Sequence, residues 1–547
     1  MIPMTFGQVA TAIGEPPSKI PSAMTIRRVS TDSREVAPGD LFVAIRGDRF
    51  DGHDFVEQAA ARGAAAAIVR RGHGHAGGTV CLETEDTIVA LGRLAEFYRG
   101  IVMSETTRVV AITGSNGKTT TKCMIDHVLR SSFPGRASKK SFNNAIGVPL
   151  TMLSSEPEDR YVVAEIGTNA RGEVAALAAI ASPDVAVITS IGEAHLEGLS
   201  DLEGVAAEKA SLISFVRSGG VAVVTADSPE LASHLPTEGR IRVETFGTTR
   251  SATYRLGALK TGLCGTAFQL RGQSIELPLP GAHHALNAAA AFAVGRWFGL
   301  SPEAIAERLR EFEPPEGRAN RIVLGGITVI DDSYNANPAS MIAAINTLGC
   351  SAAGRRVFVM GDMLELGGAS GELHGRVLEV ALEQGVDVLI AVGPCFASAL
   401  LELNHLTGIR QNPGGPQASA CTIGRSRGSR GVAHGLIGRP VESPVAEHLA
   451  LPAASGRQGN DARPGQCSKD GGTRLGPNAV NGSTNVMPCD DADEALELLK
   501  SVCSAGDTVW VKGSRALNLD HVVRGMCQTG GLPDAAANVK ADLAKVD

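Results

Sequence analysis

Short apolar runs alternate with helix-spaced stretches along most of this chain. Near the start, an STDSR turn and a PGD turn lead into the strand candidate LFVAI, Leu41–Ile45. Ala64–Val69 reads as a second buried strand, and Asp86–Arg99 has the apolar spacing of an amphipathic helix. A second unit opens at Val109–Thr113, VVAIT, followed by a glycine turn and a helix. The strand candidates YVVAEI, DVAVITS and GVAVVTA come next, separated by helical segments. That alternation predicts a parallel sheet covered on both faces. A helix is predicted over His283–Phe298, then a Pro/Gly turn over Glu313–Gly317. Near Arg321 a third unit begins, with strands ITVIDD, RVFVMGD, DVLIAVG and DTVWVKG, and a helix at Asp493–Lys500. This too reads as an α/β sheet.

One stretch breaks the pattern. From about Leu406 to Met487 the chain is rich in Gly, Pro, Ser and Arg and holds no Phe, Tyr or Trp. Such a composition buries too little apolar surface to offset its ordering entropy, so disorder is expected here. The segment reads as a tolerated surface insertion, with a partner-binding insertion and a shifted reading frame as alternatives.

Composition narrows the class. At 547 residues the chain suits two to four domains, and 43% hydrophobic with 20% charged residues is globular usage. A net charge of -7 gives no basic footprint, which argues against nucleic acid as partner. No apolar run reaches membrane-spanning length, and the N-terminus has no secretion-signal pattern, so membrane insertion and export are not expected. Ten scattered cysteines without a CxxC pair read as reduced thiols of the cytoplasm.

The strongest chemical signal is AITGSNGKTT, Ala111–Thr120, between a strand and a helix. Glycines let backbone N–H groups approach phosphate oxygens. Lys118 would reach the β- and γ-phosphates, and the Thr119 hydroxyl would ligate Mg²⁺. The first glycine does not meet strict P-loop spacing, since only two residues separate Gly114 from Gly117. The loop predicts ATP binding without choosing among kinases, motors and ligases. Glu165 ends one strand and His195 follows another, both at the carboxyl edge of the predicted sheet. They could complete a Mg²⁺ shell, although a cap or ion-pair role for Glu165 and a surface-loop role for His195 remain open. Lys209 taken alone reads as a solvated helix lysine.

Several of these stretches, in this order, resemble the Mur ligase family: TGSNGKTT, FNNAIGVPLT, VAEIGTNARGE, IGEAHLEGL, AAEKASL and GAHHALNAAAA. The likeness covers the chain apart from 406–487. It implies a three-domain α/β fold: an N-terminal UDP-muramyl substrate domain at 1–105, a central P-loop parallel-sheet domain that binds ATP at 106–317, and a C-terminal Rossmann-like domain at 318–547 carrying the insertion. DDSYNANPASM, GDMLELG and VKGSRALNLDHVV look like the member that adds D-alanyl-D-alanine to UDP-N-acetylmuramoyl-tripeptide. The DNPR-type motif usual in sister enzymes that add the third residue is absent.

Carried over by position, the resemblance assigns Thr113, Gly114, Ser115, Asn116, Gly117, Lys118, Thr119 and Thr120 to the ATP phosphates. Thr119, Glu165 and His195 become candidate Mg²⁺ ligands, and Asn287 the reader of adenine. Arg318, Arg321, Asp332 and Tyr334 match positions that close over the nucleotide from the third domain. Lys209 falls where several relatives carry a carbamylated lysine, whose added carboxylate would hold a second Mg²⁺. Ser33, Arg46 and Gly47 match the uridine-diphosphate end of the substrate site, and Asn143 and Asn144 a loop near the substrate peptide. Lys512 and Arg515 could hold a substrate carboxylate or simply finish a strand.

The implied reaction activates the tripeptide's terminal carboxylate as an acyl-phosphate, releasing ADP, before the dipeptide amine attacks. A cytoplasmic monomer using ATP and Mg²⁺ in peptidoglycan precursor synthesis is expected. The alternatives are a related ligase adding one amino acid or a glutamate, a nucleotide-binding regulator without turnover, and a P-loop motor or kinase.

Overall fold

The computed structural model of the protein describes residues 1–15, 24–73, 79–103, 105–237, 239, 241–350, 354–407, 421–423 and 484–528. Three large sheets follow one another along the chain. The first is a four-stranded parallel sheet in the order Arg28–Ser30, Asp40–Val43, Ala66–Arg70, Val80–Thr84. Helix Thr87–Phe97 follows it, with the Asp86 carboxylate accepting the Ile88 and Val89 N–H groups that an α-helix cannot pair internally.

The central sheet has nine strands. Its middle is parallel: Arg108–Thr113 lies between Val185–Ile188 and Tyr161–Glu165, and Val221–Thr225 continues outward. These strands are continuous Val, Ile and Ala runs because both faces are covered. The expected parallel sheet forms from these strands, and further strands extend it. Tyr254–Gly262, Gly265–Leu270 and Gln273–Leu277 add an antiparallel extension at one edge. Two-residue turns join them, which leaves no room for a crossover helix. Helix Ala282–Trp297 packs beside helix Lys118–Leu129 in one core, its alanines permitting close approach.

The C-terminal sheet runs Asn320–Leu324, Ile327–Asp331, Thr508–Lys512, Arg356–Gly361, Val388–Val392, Thr484–Cys489, Cys421–Ile423, parallel except at its two outer pairs. Here the irregular segment was drawn too wide. Thr484–Met487, expected to be disordered, begins a strand paired to Val388–Val392, with Thr484, Val486 and Met487 buried. Helix Pro394–Thr407 likewise takes in residues 406–407. Residues 408–420 and 424–483, the rest of that expectation, lie outside the described residues.

The two junctions between sheets differ physically. Leu91, Leu94 and Tyr98 of the N-terminal unit share one core with Val109, Ala111, Val162 and Ala164 of the central sheet. The C-terminal sheet keeps separate cores on its two faces, with Leu196 and Leu263 of the central unit packed at the margin of one. Its contacts with the phosphate loop region are polar. Among the described residues no helix is long and apolar enough to cross a membrane.

Candidate active site

The phosphate loop leaves strand Arg108–Thr113 and enters helix Lys118–Leu129 through Gly117, whose φ of 81° is left-handed. A Cβ at Gly117 would stand 2.3 Å from Asn287 Oδ1, so side-chain space and backbone both demand glycine. Ser115 and Asn116 are held by the neighbouring loop: Ser115 Oγ donates to Gly192 O at 2.9 Å, and the Asn116 N–H donates to Ser190 Oγ at 2.9 Å. Lys118 Nζ folds back to donate to Gly114 O at 2.7 Å. Burial pushes its pKa down, Glu165 opposes that and Arg318 adds to it. An anion in the loop would pair with this cation and offset the cost of its desolvation.

Glu165 is the hub beneath the loop. Its carboxylate accepts from Thr119 Oγ1 at 3.0 Å and Asn143 Nδ2 at 3.0 Å, and lies 3.1 Å from Lys122 Nζ. A hydroxyl and a carboxylate this close are hard oxygen donors of the kind Mg²⁺ selects. His195 stands apart, at the start of the short helix Leu196–Leu199, with Nδ1 2.5 Å from Glu365 Oε2 of the C-terminal unit. Burial first, then the Lys118 ammonium, lowers its pKa, while Glu365 raises it. Lys209 is not the solvated lysine its helix suggested: it is 1% exposed and has no hydrogen-bond partner among the described residues. Burial, followed by Lys118, brings its pKa to about 7.

The C-terminal sheet closes the other side. Two guanidinium groups lie over the Tyr334 ring, Arg318 at 4.1 Å and Arg515 at 4.9 Å from its centroid, and its hydroxyl meets Ser141 Oγ at 2.6 Å. Asn337 Nδ2 donates to Asn116 Oδ1 at 2.7 Å. Lys512 Nζ donates to Asp332 Oδ2 at 2.8 Å and Asn335 O at 3.0 Å. Between the two sheets lies a cavity of about 520 Å³.

That cavity brings together Ser115 to Thr119, Asn143, Asn144, Glu165, His195, Arg318 and Tyr334, with Lys512 and Arg515 added. Thr113, Gly114 and Thr120 support the loop from behind, and Asn287 packs under Gly117 rather than lining the cavity. Asp332 reaches it through Lys512. Arg321 is not brought in: on the edge strand Asn320–Leu324 it points outward and is exposed, while its neighbours on either side are half-buried. Ser33, Arg46 and Gly47 do not line this cavity. Ser33 Oγ donates to Gln58 Oε1 at 2.6 Å, Arg46 is exposed 4.0 Å from Asp51, and the Gly47 N–H donates to Phe50 O at 2.9 Å. Sequence reading missed Lys122, although it lies one helical turn beyond Lys118 and so on the same face. It also missed Ser141, Asn337, Glu193, Glu365 and Arg376, which matter only once the sheets meet.

Fold and cavity together define an α/β enzyme of the nucleotide-phosphate-binding kind, with its cradle at the carboxyl edge of a parallel sheet. The chain belongs to the Mur ligase family. The family regions described as Mur ligase family catalytic domain, Mur ligase middle domain, and Mur ligase glutamate ligase domain match residues 25–115, 112–295 and 317–414. A UDP-N-acetylmuramoyl-tripeptide--D-alanyl-D-alanine ligase from Bacillus subtilis strain 168 is 37% identical over 377 residues, 67% of this chain and 80% of that protein. The ligase of the same name from Escherichia coli strain K12 is 37% identical over 68% of this chain and 82% of its own length. A crystal structure of MurF from Acinetobacter baumannii is similar with a TM-score of 0.74 at 28% identity, covering 95% of this chain and 98% of that one.

Proposed function

We propose that this chain is an ATP-dependent ligase that joins D-alanyl-D-alanine to UDP-N-acetylmuramoyl-tripeptide in peptidoglycan precursor synthesis. The observation that carries the reading is the cavity between the central and C-terminal sheets. Lys118, Arg318, Lys512 and Arg515 line it from both sides, around the first turn of a helix. Joining a nucleotide to a carboxylate means bringing two anions together, and this arrangement opposes their repulsion.

In this reading the tripeptide carboxylate attacks the γ-phosphorus, the P–O bond to ADP breaks, and an acyl-phosphate forms. The dipeptide amine then attacks the acyl carbon, phosphate leaves and the amine gives up a proton. Lys118 and the N–H groups at the helix start hold the phosphates, and the Arg318–Tyr334–Arg515 stack covers them from the other side. Thr119 and Glu165 fit a hard divalent cation and would hold Mg²⁺ with His195, neutralising phosphate oxygens when bound. Lys209, buried and unpaired with its pKa near 7, is suited to carry a carbamate for a second ion. Asn287 reads adenine, Asn143 and Asn144 face the substrate peptide, and Ser33, Arg46 and Gly47 take the uridine-diphosphate end. The sheets correspond to domains at 1–105, 106–317 and 318–547, working as a monomer in the cytoplasm.

The test is turnover of purified protein with ATP, Mg²⁺, UDP-muramyl-tripeptide and D-alanyl-D-alanine, the product being identified by mass. ADP release that depends on both acceptors, with pentapeptide formed, is expected. Release with a single amino acid or a folate in place of the dipeptide would point to a related ligase, and release without acceptors to a motor or kinase.

A further inference from the structure

Two non-glycine residues with left-handed backbones face each other across the gap between the central and C-terminal sheets. His195 has φ 56° and ψ 33°, and Glu365 has φ 63°. A Cβ disfavours that conformation, so contacts beyond each residue must hold it. Their side chains meet, with Nδ1 of His195 2.5 Å from Oε2 of Glu365. The approach is off the line of an ideal hydrogen bond, and among the described residues the buried Nδ1 has no other partner. Among the described residues Nε2 has none either, and His195 lines the cavity.

The loop bearing His195 is anchored at both ends of its reach. Toward the C-terminal unit, Glu193 pairs with Arg376, Gly367 backs against Glu197, and Leu196 sits at the core margin. Toward the phosphate loop, Gly192 exchanges hydrogen bonds with Ser115 Oγ, and Thr189 Oγ1 donates to Asn116 O. The loop is therefore a link between the docked C-terminal sheet and the phosphate cradle.

We propose that Glu365 is a positioning residue, carried in by the C-terminal domain, that fixes His195 as the tautomer protonated on Nδ1. A neutral imidazole has one N–H and one lone pair, and a carboxylate at Nδ1 selects the N–H there. The lone pair then stands on Nε2. Such outer partners orient histidine ligands and govern their affinity. His195 is thus competent only while the C-terminal sheet is docked, which ties completion of the site to closure. This rests on the ligase reading above.

The experiment uses the full chain with ADP, Mn²⁺ as the probe ion, and the variants Glu365→Ala, Glu365→Gln and Arg376→Ala. Three quantities are read: the ¹⁵N shifts of His195 in histidine-labelled protein, Mn²⁺ affinity by electron paramagnetic resonance, and kcat against KM. Glu365→Ala is expected to give mixed tautomers, Mn²⁺ affinity weaker by about tenfold or more, and a lower kcat with KM for ATP within about twofold. Glu365→Gln, whose amide oxygen still accepts the Nδ1 proton, should recover most of the wild-type ¹⁵N signature. Arg376→Ala should leave the tautomer alone. The proposal is overturned if Glu365→Ala keeps the wild-type ¹⁵N shifts and Mn²⁺ affinity, or if Glu365→Gln fails to restore them. Wild-type protein that makes no pentapeptide would sink the ligase reading instead, while the tautomer measurement would still stand.

Discussion

Lys122 Nζ lies 3.1 Å from Glu165 Oε2, and each side chain is only 2% exposed. The pair comes from a helix and a strand end that meet under the phosphate loop. Burying two charges is costly, and removing one partner leaves the other unpaired, typically at a cost of about 3–5 kcal/mol. Lys122→Met is therefore expected to lower stability by about 3 kcal/mol. The double variant Lys122→Met/Glu165→Gln should regain at least half of that loss while remaining inactive, because the carboxylate itself is needed. Urea denaturation of both variants, with ADP release alongside, checks this. A double variant no more stable than the single one would show that the ion pair is not what holds the site.

Lys118 makes a different case. Among the described residues its ammonium has one hydrogen bond, to Gly114 O, and its pKa is lowered by burial, so its charge is poorly satisfied there. Lys118→Ala should leave the fold and melting temperature nearly unchanged. Turnover should fall by about a hundredfold or more, since a donor aimed at developing charge is lost. Circular dichroism and phosphate release measure the two sides. Near-normal turnover would remove Lys118 from the phosphate site.

How much of this was legible depends on where the information lies. Val109–Ile112 and Tyr161–Ala164 are buried and so are written as unbroken apolar runs, which made the strands and the loop between strand and helix readable. The hairpins over Tyr254–Leu277 alternate buried and exposed positions, interrupted by Gly and Thr, and gave no such run. Thr484–Cys489 was hidden by the composition of its neighbour. The burial of Lys122 and Lys209 was illegible for a simpler reason, even though the resemblance had pointed to Lys209: a helical lysine normally reaches water, and only tertiary packing shows that these do not. Glu365 and Arg376 lie more than 150 residues from the loop they touch; Glu365 falls within the GDMLELG motif, but nothing local says that it reaches His195, and no local pattern marks Arg376.

Tyr334 joins the two halves of the cavity through its hydroxyl bond to Ser141 and through its ring, which contacts the Arg318 and Arg515 guanidinium groups. These contributions are separable. Tyr334→Phe keeps the stack and loses one hydrogen bond, about 1 kcal/mol, so KM for ATP should rise by about fivefold or less. Tyr334→Ala also frees both guanidinium groups and should raise it well beyond that. Steady-state kinetics decides, and equal effects from the two variants would mean the ring does nothing for the nucleotide.

Stability should depend on pH through two histidines outside the cavity. His283, half-buried, and His284, buried, are neighbours at the start of helix Ala282–Trp297, and among the described residues both nitrogens of His284 and Nδ1 of His283 lack hydrogen-bond partners. Burial pushes His283 to about 4, partly opposed by Asp332 and reinforced by Lys512, and pushes His284 well down, with His283, Lys512 and Arg318 adding to it. In the unfolded chain each titrates near 6.5. Between those values the unfolded state binds more protons, so stability is fully present above about pH 6.5 and is lost as pH falls toward 4. The slope per group is at most about 1.4 kcal/mol per pH unit. Asp331, raised by burial, runs the other way, gaining stability where its carboxyl is protonated in the fold and charged when unfolded, which softens the slope only at the acid end. Trp297 ends the same helix, so tryptophan fluorescence reports its unfolding. The urea midpoint is expected to drop between pH 7.5 and 5, and the variant His283→Gln/His284→Gln should flatten part of that drop, the remainder coming from His127, His195 and His374, whose pKa values burial also lowers. An unchanged slope in the double variant would place the sensitivity elsewhere.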